Sequence, residues 1–130
     1  MQPPLLATCA VAALAAVTGC VDASERSTDY AYLHAAIIEP SCATANCHSA
    51  MTAQQGLDLS TPATCDDLVA NYVCPGAGAD CANPFGIDVH GLLINRLRAT
   101  DGLLMPQDGP LPESDIQLIE TWIEEGASCE

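Results

Sequence analysis

Eight cysteines in a chain of 130 residues constrain this fold more than any other feature. Each cross-link or cofactor bond they make removes conformations that a short chain cannot exclude by packing alone. Thiols at this density are a liability in a reducing cytosol unless they hold metal, so the count points to an exported protein. The length leaves room for one domain. Hydrophobic residues make up 49% of the chain but aromatic ones only 4%, with Phe85 and Trp122 the sole Phe and Trp. The expected core is small and aliphatic, with apolar bulk left for a buried cofactor to supply.

Two of the cysteines precede the domain. Leu5 to Val17 is a run of Leu, Ala and Val broken only by Thr8 and Cys9, the length of a signal-peptide apolar region rather than of a membrane span. It ends in Val17-Thr18-Gly19-Cys20, which resembles the lipobox of bacterial lipoproteins. That resemblance implies a lipoprotein-type signal peptide over 1–19, loss of Cys9 with it, and acylation of Cys20. Residues 20–28 then form a polar tether, and 29–130 the domain. Acyl chains contribute about 0.8 kcal/mol per buried methylene. The expected location is the cell envelope or periplasm, anchored to a membrane.

Within the domain the periodicity is helical. Tyr30, Leu33, Ile37 and Ile38 recur on one face behind the capping oxygens of Ser27, Thr28 and Asp29, predicting a helix over 28–39 stopped by Pro40. His34, on or beside that stripe, reads as a packed residue. A weak helix with Asp66 and Asp67 in its first turn runs to about Tyr72. Cys74 to Gly86 is a Gly/Pro-rich loop. Asp88 is placed to cap a helix burying Leu92, Leu93, Ile94 and Leu97, with Arg96 and Arg98 near its end. A last helix starts near Pro112, buries Ile116, Ile119, Trp122 and Ile123, and stops at Gly126. No strand-like alternation of useful length and no internal repeat is visible. The predicted fold is all-α with long loops, which need a covalent or functional reason to stay ordered.

The chemistry centres on Pro40-Ser41-Cys42-Ala43-Thr44-Ala45-Asn46-Cys47-His48. Two cysteines followed at once by histidine is how c-type haem is attached: the thiols add to the haem vinyl groups and the imidazole binds iron. Cys42 and Cys47 are the candidate attachment thiols and His48 the candidate iron ligand. Four residues separate the cysteines instead of the common two, and the extra pair has room to bulge as a loop.

Several segments taken together resemble the cytochrome c family, and in particular the small monohaem domains of exported bacterial proteins. They are an opening helix ending in a proline before Cys42-x4-Cys47-His48, then Gly56-Leu57-Asp58-Leu59, Gly102-Leu103-Leu104-Met105-Pro106, and the closing Thr121-Trp122-Ile123-Glu124-Glu125-Gly126-Ala127. The resemblance spans about residues 30 to 127. It implies a small cytochrome c-like helical domain closed by one covalent haem c and by disulfides. It also implies Met105 as the second axial ligand, a pairing with His48 that raises the reduction potential relative to two histidines. Met51 lies too near His48 in sequence to reach the opposite haem face, and His90 is expected to face solvent at a helix start. The implied function is electron transfer without catalysis, because His and Met together leave no open iron position for a substrate.

Cys65, Cys74, Cys81 and Cys129 remain as disulfide candidates, and four cysteines allow three pairings. A mostly helical stretch from Cys65 to Cys74 would set its ends roughly 13 Å apart, beyond the ~7 Å a bridge spans. Cys74 with Cys81 and Cys65 with Cys129 is the pairing favoured. The alternative function is a haem-free, disulfide-stapled exported lipoprotein serving as a binding or structural module, with Cys42 bonded to Cys47. A soft copper or zinc site built from Cys42, Cys47, His48 and Met105 is a third reading. The charge balance bears on partners. Seventeen acidic residues oppose Arg26, Arg96 and Arg98, with no lysine, for a formal charge of −14. Nucleic acid is excluded, whereas a redox protein with a basic docking face is compatible with this field.

Overall fold

The computed structural model describes residues 25–74 and 90–130. The signal segment, Cys20, most of the tether, Cys81 and Asp88 lie outside the described residues. The architecture is helical, with no strand among the described residues. The chain passes through α1 (Tyr30–Leu33), a π-helical turn (His34–Ile38) and α2 (Glu39–Cys42), then α3 (Cys65–Tyr72), α4 (Leu92–Leu97) and α5 (Glu113–Glu124). No helix among the described residues is long and apolar enough to cross a membrane.

The first helical segment departs from expectation at both ends. None of Ser27, Thr28 or Asp29 caps it: Thr28 Oγ1 donates instead to Glu125 Oε2 at 2.7 Å, and Ser27 Oγ to Asp29 Oδ2 at 2.6 Å. Pro40 does not stop it either, for helical structure continues to Cys42. A proline ring normally clashes with the carbonyl four residues earlier. Here the turn widens first, with Glu39 N–H donating to the His34 carbonyl five residues back, and a wider turn opens that space. The consequence is that Cys42 still sits on the helix.

The core joins the two ends of the domain. Tyr30, Leu33, Ile37 and Ile38 are buried together with Ile116, Ile119, Trp122 and Ile123, and Leu57, Leu59, Leu68, Ile94 and Leu97 complete the cluster. The core is mainly aliphatic, as expected, and its two aromatic members, Tyr30 and Trp122, lie with rings 5.3 Å apart at 37°, a pairing worth about 1 kcal/mol beyond its area. In α4 only Ile94 and Leu97 are buried, while Leu92 and Leu93 are half-buried. Leu118 is an additional buried residue of α5.

Two devices fix α5. At its end, Gly126 at φ +110° lets Gly126 N–H reach the Ile123 carbonyl (3.0 Å) and Ala127 N–H the Trp122 carbonyl (2.9 Å), the paired bonds of a glycine-terminated helix. The Trp122 indole then donates to the Ser128 carbonyl at 2.8 Å, bringing Cys129 into a disulfide with Cys65 at the start of α3. At its beginning, Arg98 bonds both Glu113 and Glu120, and Arg26 pairs with Asp115.

Candidate functional site in the Cys42 to His48 loop

The chain leaves α2 and doubles back on itself. Cys47 N–H donates to the Thr44 carbonyl at 2.9 Å, and His48 N–H to the Cys42 carbonyl at 3.0 Å. The second bond returns His48 to the end of the helix that carries Cys42. Thr44, Ala45 and Asn46 are exposed on the outside of this turn. They are held by Thr52 Oγ1 and Ser49 Oγ, which donate to the Ala45 carbonyl at 2.6 and 3.3 Å. Three of the four spacer residues thus face outward, while Ala43 packs against the core.

Cys42 and Cys47 are both free thiols and half-buried, whereas Cys65, Cys74 and Cys129 are disulfide-bonded. Burial, followed by the neighbouring Cys47, pushes the Cys42 thiol up to about 11. At neutral pH it is therefore protonated and a weak nucleophile. Beside it lies Tyr30, only 1% exposed, whose hydroxyl is the one buried side-chain polar atom without a hydrogen bond among the described residues. Burial, then Cys42, raises that phenol to about 12. A buried donor left unused costs about 1–3 kcal/mol and calls for an explanation.

His48 is held from one side. Its Nδ1 lies 3.2 Å from the Leu57 carbonyl, and its own carbonyl accepts the Leu59 N–H at 2.7 Å. A carbonyl only accepts, so Nδ1 is the donor in this bond, which leaves Nε2 as the ring nitrogen a metal could use. Leu57 and Leu59 are buried in the core, so the backbone holding His48 is anchored by its own side chains. Sequence reasoning marked Cys42, Cys47 and His48. It did not find Leu57, Leu59 or the Tyr30 hydroxyl as parts of the site, because backbone carbonyls and orphaned donors leave no sequence pattern.

The remaining candidates occupy other elements. Met105 is half-buried in the α4–α5 connection, its N–H donating to the Arg96 carbonyl at 3.0 Å. Met51 is 97% exposed. His90 does not simply face solvent: its Nε2 is 3.1 Å from Glu124 Oε1. No three His, Cys, Asp or Glu side chains among the described residues are grouped to hold a metal ion. No family model matches the chain, and no curated protein and no solved structure matches it.

Proposed function

We propose that this chain is an exported electron-transfer protein of the cytochrome c type carrying one covalent haem. Cys42 and Cys47 would be the attachment thiols, and His48 and Met105 the residues that would hold its iron. The observation that carries this reading is the chemistry of one loop: two free thiols and an imidazole with Nδ1 engaged, in a chain whose other described cysteines are oxidised.

The residues present fit that group. An imidazole hydrogen-bonded through Nδ1 is oriented and made more basic at Nε2. A protonated Cys42 in an apolar setting stays unreacted until a partner arrives, and the unused Tyr30 hydroxyl is the kind of orphan that a bound group relieves. Bound haem iron supplies a one-electron couple whose potential depends on the axial ligands and on burial. The chain's own part is to hold the imidazole, exclude water with Leu57, Leu59 and the Tyr30–Trp122 pair, and offer a thioether. Half-burial favours Met105 over the exposed Met51 for that last role. The acidic surface suits a basic redox partner, and acylation at Cys20 would keep the domain at a membrane.

Expression with a cytochrome maturation system, then denaturing electrophoresis with a haem stain and an intact-mass measurement, tests the reading. A stained band with the mass of one haem and an acylated Cys20 is expected. An unstained band from correctly exported protein, with no haem absorption, would reject it and leave the haem-free lipoprotein module in its place.

A further inference from the structure

We infer that His34 is a positioning residue for His48, acting through the segment from Leu57 to Leu59; the inference rests on the reading of His48 as an iron ligand. His34 is 2% exposed and is the one buried polar or charged residue of the described core. A histidine buried in an apolar stripe is unfavourable unless its ring nitrogens find partners. Its Nε2 lies 2.9 Å from the carbonyl of Leu59, 25 residues further on. That carbonyl only accepts, so the His34 proton is on Nε2.

Leu59 is also the residue whose N–H donates to the His48 carbonyl at 2.7 Å, and Leu57, two residues earlier, accepts from His48 Nδ1 at 3.2 Å. The same short segment is therefore pinned to His48 by two bonds and to the first helical segment by one. Removing the His34 donor leaves a buried carbonyl unsatisfied and frees the segment to move. The Nδ1 bond of His48, the longest of the three, is the first expected to weaken. The ring of His34 lies near that of Tyr30, centroids 6.0 Å apart, and its Nδ1 is 3.9 Å from Glu39 Oε2, beyond hydrogen-bond distance. His34 and His48 thus donate through different ring nitrogens, Nε2 and Nδ1 respectively, to two carbonyls of one segment.

Nuclear magnetic resonance of the full chain labelled with 15N, without reductant so that the Cys65–Cys129 bridge stays closed, tests this. The unmodified protein should show His34 protonated at Nε2 and His48 at Nδ1. In His34→Leu, which keeps apolar bulk, solvent exchange of the His48 Nδ1–H and the Leu59 amide should accelerate by about tenfold, the scale of one lost buried hydrogen bond. The Ile119 amide in α5 should keep its rate. His34→Gln, which restores an N–H donor, should recover both. A His34 proton found on Nδ1 alone, equal acceleration at Ile119, or no recovery in His34→Gln would each overturn the inference. If His34→Leu fails to fold, the tautomers of the unmodified protein and the His34→Gln rates decide. The exchange rates are read with or without attached haem, so a negative haem stain rejects the electron-transfer reading without deciding this relay.

Discussion

Replacing Cys65 and Cys129 together with alanine opens a loop whose ends are 64 residues apart in sequence. The chain-entropy relation gives about 14–15 cal/mol/K for a closure of that length, or roughly 4 kcal/mol at 25 °C. Packing adds little, since alanine at the buried Cys65 loses only a sulfur atom's contacts and Cys129 is half-buried. A loss of ~4 kcal/mol is a large share of the 5–15 kcal/mol typical of a folded domain. For a domain of about 100 residues it lowers Tm by roughly 15–30 °C. Cys42 and Cys47 lie outside the 65–129 loop, so the effect is expected whether or not a cofactor is attached. Thermal unfolding of the variant beside the unmodified protein, without reductant, measures it, and peptide mapping of the unmodified protein verifies the bridge. A fall of less than about 5 °C would refute the entropic reasoning, because it would mean that the two ends stay together in the unfolded chain.

Gly91 has φ +100°, and a Cβ there would meet Cys74 N and Tyr72 O at 2.8 Å; Gly91→Ala is expected to cost about 2–3 kcal/mol in urea unfolding. Arg98, then Gln117, holds the Glu113 carboxyl below the usual glutamate range. A carboxylate held low in the folded state stabilises above its unfolded pKa, and the contribution is lost as pH falls through the folded value. Glu113→Gln should therefore flatten the acid limb of a Tm-against-pH curve while changing its neutral region less. In haem-loaded protein, Met105→Ala should abolish the near-infrared sulfur-to-iron band and lower the reduction potential, while Met51→Ala should leave both in place.

The parts of the fold legible in the sequence are those set by side-chain periodicity. The stripe of Ile116, Ile119, Trp122 and Ile123 ended by Gly126 defines α5 as found. Helix from Cys65 to Tyr72 underlies the geometric argument against joining Cys65 to Cys74. Where a rule concerns a single residue, context overrode it. Pro40 failed as a stop because the preceding turn widened, and the capping oxygens of Thr28 and Ser27 went to Glu125 and Asp29. The site divides in the same way. Cys42, Cys47 and His48 announce themselves by adjacency, but the carbonyl that engages His48 Nδ1 belongs to Leu57, and any residue in that place would present the same group. His34 reads as packed, and its bond to Leu59 depends on a fold contact that no local pattern encodes.

The spacing between the cysteines, unusual for a c-type attachment motif, bears on how this site is built. If the spacer itself set the thiol positions, two additional residues would push Cys42 and Cys47 apart. Instead the ends are fixed independently of it: Cys42 by the helix that survives Pro40, and His48 by bonds from Cys42, Leu57 and Leu59. The exposed residues Thr44, Ala45 and Asn46 take up the excess length outside that frame. A local Cys42–Cys47 disulfide requires no particular state of the neighbouring imidazole. The backbone here nevertheless commits the Leu57 carbonyl to His48 Nδ1, and the Cys42 carbonyl and Leu59 amide to its main chain, and a rigidly held ligand is what an iron site needs. Two free thiols beside an imidazole engaged through Nδ1 are what support the proposed cofactor over a simple staple.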